Sequence, residues 1–91
     1  MGFQNYPFST GQATVTGTAT LIVAANSARS GLVITNTGTT DVYIVENTSG
    51  TTSTGQLLPG TKGASLGFST TGAVYGITGG GTAVLTWLQT Q

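Results

Sequence analysis

The chain has 91 residues, of which Thr, Gly and Ser fill 42, and only four residues carry a formal charge, with a net charge of zero. A length of this order holds one small domain. Nucleic-acid binding needs clustered Lys and Arg, and metal sites need His, Cys or several carboxylates, so this composition argues against both. Without Cys the chain forms no disulfide. We expect neither a Sec signal peptide at the charge-poor start nor a membrane-spanning helix.

The chain favours strands throughout, because 31 residues are β-branched and Gly interrupts nearly every candidate helix. Within the third predicted strand, Leu32 and Ile34 face one side and Val33 the other. Strands of this length and spacing predict an all-β fold, a single small antiparallel β-sandwich or barrel of about seven to eight strands. In chain order the expected strands are residues 13–16, 18–24, 32–37, 41–46, 56–58, 64–68, 73–77 and 82–90.

Three predicted turns and one predicted loop connect these strands. Residues 37–40 and 79–81 each separate two apolar strands and predict hairpins. Pro59-Gly60 predicts a type II turn, because Pro presets φ and Gly accepts the positive φ of the following position. Residues 47–55 are polar, and we expect a mobile loop there.

The first residues differ in composition from the rest. Three of the aromatic residues lie in the first eight positions, and Pro7 favours an extended backbone at Tyr6. We expect residues 1–10 to form an extended N-terminal arm and residues 11–91 to form the β-domain. The arm is either a first strand that caps the core or a segment that docks on a neighbouring subunit. In the second case its partner-interface residues are Phe3, Tyr6, Pro7 and Phe8.

Several residues have expected structural roles. Arg29 precedes the most apolar strand, and its guanidinium is expected to hold loop carbonyls or Asp41; the alternative is a contact with a partner surface. Trp87 shares a strand face with Leu85, which favours a core position over a sugar-stacking one. The remaining residues of this structural set are Asn36, Pro59 and Gly60.

The side chains do not support catalysis. Asp41 and Glu46 are the only carboxylate residues, and their odd spacing places them on opposite faces of a shared strand. A Ser nucleophile needs a base, and the chain has no His. We therefore expect no enzyme activity, no catalytic residues, no metal site and no cofactor.

One pattern resembles a small β-rich domain of tailed-bacteriophage virion proteins. There, an apolar strand that ends in Asn leads to a Val-Tyr-Ile strand, a Pro-Gly-type turn and a Val-Tyr-x-Ile strand. The departure is Val45-Glu46, where the family pattern continues with a Gly-rich segment, so the resemblance does not predict the shape of the following loop. The match covers about residues 18–90, and its motifs are Asn26-x-x-Arg29-x-x-Leu32-x-Ile34-x-Asn36, Asp41-Val42-Tyr43-Ile44, Leu57-Leu58-Pro59-Gly60, Val74-Tyr75-Gly76-Ile77 and residues 82–88.

This resemblance implies a non-enzymatic structural virion protein that binds and stabilises or decorates a bacteriophage capsid. The implied partners are further copies of the chain, with a trimer as one candidate symmetry, and the major capsid protein. Its place is the exterior of a virion, after synthesis in the host bacterial cytoplasm. The alternative is a tail-associated receptor- or glycan-binding module.

A third hypothesis, ice binding, comes from Thr-x-Thr pairs such as Thr14/Thr16. These pairs lack the constant period that stacked Thr arrays require.

Overall fold

The computed structural model describes residues 8–91, which form eight strands and no helix. The all-β prediction is confirmed, and each expected strand has a counterpart whose bounds agree within two residues, except that β1 begins five residues earlier than predicted. The strands are β1 (Phe8–Val15), β2 (Thr20–Val23), β3 (Gly31–Asn36), β4 (Val42–Val45), β5 (Gln56–Leu58), β6 (Ser65–Phe68), β7 (Val74–Thr78) and β8 (Ala83–Thr90).

The strands form two antiparallel four-stranded sheets. The first, here called the long sheet, has the order β1-β8-β3-β6, and the second, the short sheet, has the order β2-β7-β4-β5. Eight strands divided in this way between two packed sheets form a jelly roll. Among the chain connections, only the one from β4 to β5 joins neighbours within one sheet.

Two hairpin predictions are therefore wrong. Residues 37–41 carry the chain from β3 in the long sheet to β4 in the short sheet, and residues 79–82 carry it from β7 to β8 in the opposite direction. A tight Gly-rich connection suits either a hairpin or a corner between sheets. The choice between a hairpin and a corner depends on which strands β3 and β7 pair with, and these partners are distant in sequence.

The core lies between the sheets and uses the expected alternation of side chains. In β3, Leu32, Ile34 and Asn36 are buried while Val33 is exposed. The buried apolar cluster comprises Val15, Ile22, Val23, Leu32, Ile34, Val42, Ile44, Leu58, Val74, Ala83 and Leu85.

β1 is longer than its sequence indicates. It pairs with β8 along its whole length, from Phe8 opposite Thr90 to Val15 opposite Ala83. The expected arm over residues 1–10 therefore overlaps the sheet by three residues. The start of β1 is polar and contains Gly, so its sequence does not predict a strand. It forms a strand because its backbone pairs with β8.

The turn at Pro59-Gly60 differs from the type II prediction. Within residues 8–91 only Gly63 and Gly80 have a positive φ. Gly60 is instead required by crowding, because a Cβ there would lie 2.3 Å from the backbone oxygen of Thr39. Its N–H also donates a hydrogen bond of 2.6 Å to the carboxylate of Asp41.

Candidate interaction surface

A buried arginine closes one end of the sandwich. The Arg29 side chain is 5% exposed. Its guanidinium donates hydrogen bonds to the side-chain oxygen of Gln89 at 2.8 Å, to the carbonyl of Thr70 at 2.8 Å and to the carbonyl of Gly72 at 3.0 Å. A further bond reaches the carbonyl of Ala24. These four acceptors are neutral oxygens, so Arg29 joins two loops and the end of β8 without using Asp41.

A buried asparagine closes the opposite end. Asn36 is fully buried, and its Nδ2 donates hydrogen bonds to the carbonyls of Thr40 at 2.8 Å and Pro59 at 3.2 Å. Its Oδ1 accepts a hydrogen bond of 2.9 Å from the N–H of Gly38. The two buried polar side chains thus flank β3, and each ties loops together at one end of the fold.

The outward side of the short sheet is apolar across all four of its strands. Tyr43 on β4 lies opposite Ile77 on β7 and Leu57 on β5, and Tyr75 on β7 lies opposite Leu21 on β2. Leu21 is 45% exposed and Leu57 is 42% exposed, and the other three are half-buried. These five residues are called the apolar face below. A contiguous outward apolar patch of this kind is typical of an interaction site.

The loop between β4 and β5 folds back over one end of this sheet. Gly50 lies against Val45 so closely that a Cβ there would be 2.2 Å from the Val45 Cβ. Val45 is 4% exposed although its register would place it on the outward side. The backbone N–H of Gly50 donates to the carbonyl of Asn47 at 3.2 Å, and that of Gly55 donates to the carbonyl of Thr51 at 3.0 Å. The loop predicted to be mobile is folded over the sheet in the structure.

The free charges lie at the two ends of the β4–β5 pair. Asp41 directly precedes β4 and Glu46 directly follows it, so their backbone positions lie about 16 Å apart along the strand. Lys62 lies in the turn after β5, at the Asp41 end, since Val42 pairs with Leu58. Asp41 and the Lys62 turn thus share one end of the β4–β5 pair, and Glu46 lies at the other end.

The outward side of the long sheet is mostly hydroxylated. Thr35 and Ser65 are hydrogen-bonded to each other through their hydroxyls at 2.8 Å. Its exposed apolar members are Val33 and Leu88, which lie opposite each other and are 40% and 37% exposed, and Phe8, which is 51% exposed. A shallow groove of about 560 Å³ runs along Val33, Thr86 and Leu88.

Of the four predicted interface residues, the described part of the chain includes one. Phe3, Tyr6 and Pro7 lie outside residues 8–91, and Phe8 is an exposed residue at the start of β1. The apolar face was not identified from the sequence. The alternation Val-Tyr-Ile placed Tyr43 on the side opposite Val42 and Ile44, but only the register brings outward residues of four strands together.

Trp87 packs against the core on the inward side of the long sheet and covers Gly11, its partner on β1. A Cβ at Gly11 would lie 2.2 Å from the Trp87 ring. We expect blue-shifted emission and restricted iodide quenching for Trp87. The Gly11→Ala variant displaces the ring and shifts the emission to the red. Gly17→Ala is the control, since its nearest contact is at 3.9 Å. Equal spectra for the two variants would contradict this packing.

Residues 8–91 contain no group of three metal-ligating side chains and no helix long and apolar enough to cross a membrane. Every buried side-chain nitrogen and oxygen in this part of the chain has a hydrogen-bond partner.

No family model and no curated protein matches the chain. A solved structure described as "Bacillus endospore appendages form a novel family of disulfide-linked pili" is similar to it, with 23% sequence identity over 91% of this chain and 84% of that chain, and a TM-score of 0.44. At this identity and TM-score the similarity carries no inference about function.

Proposed function

We propose that the chain is a non-enzymatic structural protein that assembles by burying its apolar face against other protein surfaces. We further propose its setting: the exterior of a bacteriophage capsid, which it decorates or stabilises as a homo-oligomer bound to the major capsid protein. The observation that carries the first statement is the apolar face itself. The second statement rests on the virion-domain pattern over residues 18–90.

The apolar face supports this proposal by its position. It lies on the outward side of a complete sheet, and the buried residues of the same strands already fill the core. Leu21 and Leu57 do not belong to the buried core and remain largely exposed to solvent. Burial of apolar area contributes about 25 cal/mol per Å², so covering this face stabilises an assembly without further ordering of the fold.

The charge content supports the same function. A neutral chain with four charged residues has little self-repulsion to keep its copies apart. Jelly rolls occur in both viral capsid proteins and lectins, so the architecture by itself favours neither the capsid function nor the glycan alternative.

The copy number of the chain in purified phage particles tests the proposal. Quantitative mass spectrometry of particles from a phage that encodes the chain is expected to find on the order of hundreds of copies, since a shell repeats its subunits by symmetry. A handful of copies would indicate a tail component, and particles without the chain would overturn the virion proposal.

Removal of residues 1–7 tests the arm. Because β1 is described from Phe8 onward, this deletion removes no residue of the strands given above. The arm hypothesis, in which residues 1–7 rather than the apolar face hold the capsid, predicts an unchanged far-UV spectrum, a melting temperature within about 3 °C of the full chain and loss of co-sedimentation with capsids. The matched variant of full length is Phe3→Ala with Tyr6→Ala. Normal capsid binding by both would exclude the arm as the anchor.

A glycan-binding function is the second candidate because Tyr43 and Tyr75 are diagonal neighbours on the apolar face. Sugars stack on aromatic rings of this kind. Binding of host surface glycans that is lost in Tyr43→Ala would favour this function over capsid decoration. Unchanged binding in that variant would exclude the face as the glycan site.

A further inference from the structure

We propose that the free edge of β1 pairs with the same edge of a second copy, antiparallel and about a two-fold axis, so that the two long sheets become one continuous sheet. The inference names the contact between copies of the proposed homo-oligomer, and in that respect it rests on the proposed function. It uses a different surface from the apolar face, which lies on the short sheet. A sheet edge presents backbone N–H and C=O groups with which another strand can pair.

The four sheet edges of residues 8–91 differ in how well they are protected against such pairing. β5 has three residues and β6 has four, so each offers little length to another strand. β2 has four residues, and its register shifts between Leu21 and Val23. β1 has eight residues in unbroken register with β8, and it contains neither Pro nor a charged residue. Short length, irregular register, Pro and charge all protect edges from pairing, and β1 has none of these features.

Hydrogen bonds at the end of β3 show which backbone groups of β1 point to the free edge. The carbonyl of Val84 accepts a hydrogen bond of 3.2 Å from the N–H of Thr37, so even-numbered residues of β8 bond towards β3. In an antiparallel sheet the backbone groups of successive residues point to opposite neighbours, so odd-numbered residues of β8 bond to β1. The β1–β8 register then leaves four residues of β1 whose N–H and C=O point away from β8: Phe8, Thr10, Gln12 and Thr14.

One register between the two copies uses all of these groups. In it, Thr10 lies opposite Gln12 of the second copy and Phe8 lies opposite Thr14 of the second copy, and opposite residues exchange both of their backbone hydrogen bonds. The axis passes beside Gly11, which has no side chain to crowd its own copy. Even-numbered residues of both copies stay on the outward side, so the two cores lie on the same side of the continuous sheet.

The composition and length of β1 select a second copy as the partner. A two-fold axis brings each residue near its own copy, so a charged residue beside the axis would meet a like charge. Neither β1 nor β8 contains a charged residue. A copy of β1 also has the length that this edge needs, whereas each of the other three edge strands is at most half as long.

The small contact area predicts a weak dimer. One pair of strands buries less than the roughly 800 Å² on each partner that is typical of a stable interface. We expect a dissociation constant of roughly 10–1,000 μM for the full chain. Such a contact is populated when many copies are held close together, as in a shell.

Paired charge variants test the contact and its register in sedimentation equilibrium of the full chain. Thr10→Lys combined with Gln12→Lys places like charges opposite each other twice and should raise the dissociation constant by about tenfold or more. Thr10→Lys combined with Gln12→Glu is the matched control. It places opposite charges opposite each other in the proposed register and should dimerise at least as tightly as the unmodified chain. Both positions are exposed, so we expect both variants to keep the far-UV spectrum of the unmodified chain.

Single cysteines give an independent test, because the chain has no Cys. In a glutathione redox buffer, an equimolar mixture of Thr10→Cys and Gln12→Cys should form mainly the mixed disulfide, identified by intact mass spectrometry. Opposite residues of a hydrogen-bonded pair have Cα atoms about 5.5 Å apart, within the range of a disulfide. Either variant alone places its two thiols diagonally and should form little dimer. Val33→Cys is the control, since Val33 is exposed but lies two strands from the edge.

Three results would overturn the proposal: a chain that is monomeric at all concentrations, a dimer that both charge variants leave unchanged, and a mixture that yields no excess of the mixed disulfide. Self-association that is lost on deletion of residues 1–7 but insensitive to charge at positions 10 and 12 would assign it to the arm instead. Co-sedimentation with capsids separates this proposal from the proposed function. Capsid binding by a chain that never dimerises would overturn the edge contact alone, and a dimer that fails to bind capsids would overturn the capsid function alone.

Discussion

Replacement of Arg29 by Ala is expected to lower the free energy of unfolding by about 3 kcal/mol, which corresponds to a fall of roughly 15 °C in melting temperature for a domain of this size. The variant leaves the carbonyls of Ala24, Thr70 and Gly72 without their donor at a partly buried site, and it leaves the space of the buried Arg29 side chain empty. It also frees the side chain of Gln89 at the end of β8. Thermal and urea unfolding followed by circular dichroism measure the change.

Two controls distinguish hydrogen bonding from charge. Arg29→Lys keeps the charge but cannot span four acceptors with one ammonium, so we expect a loss of about 1–2 kcal/mol. Lys62→Ala removes an exposed cation and should change stability by less than about 0.5 kcal/mol. An unchanged melting temperature for Arg29→Ala would show that Arg29 does not hold these loops.

The Gly60→Ala variant is expected to lose about 2–3 kcal/mol, because its Cβ would overlap fixed backbone. The nearest atoms are the oxygen of Thr39 at 2.3 Å, the carbonyl carbon of Thr39 at 2.6 Å and that of Thr40 at 2.8 Å. These atoms belong to the turn that Asn36 holds through the Thr40 carbonyl, so they cannot move without breaking that bond. Chemical denaturation with a fixed m-value measures the loss.

Variants at two other glycines distinguish a stability loss caused by steric crowding from one caused by backbone conformation. Gly79 has open space around its Cβ position and no positive φ, so Gly79→Ala should be neutral or slightly stabilising. Gly63 has open space but a φ of 93°, so Gly63→Ala should cost about 1 kcal/mol through backbone strain alone. If Gly60→Ala were as mild as Gly79→Ala, the close approach of the two turns would be excluded.

The roles of Arg29 and Gly60 show how far local patterns extend. The sequence predicted that Arg29 holds loop carbonyls or Asp41, and left the choice open. The acceptors Thr70 and Gly72 come from a segment more than 40 positions away, which no local pattern indicates. The sequence predicted that Gly60 is needed because a type II turn requires a positive φ. In the structure Gly60 is needed because the backbone of Thr39 and Thr40, about 20 positions earlier in the chain, leaves no room for a Cβ.

The sequence by itself determined the strands, apart from the first half of β1, together with their inward and outward faces and the near absence of charge. Strand formation and face alternation follow from β-branched residues, glycine positions and a period of two, which are local properties. The tertiary structure decided which strands are neighbours, and so turned two expected hairpins into connections between sheets. It alone assembled the apolar face, because Leu21, Tyr43, Leu57, Tyr75 and Ile77 become one surface only through the register of four strands. Pairing and register depend on contacts between distant segments, and a single strand does not specify its neighbours.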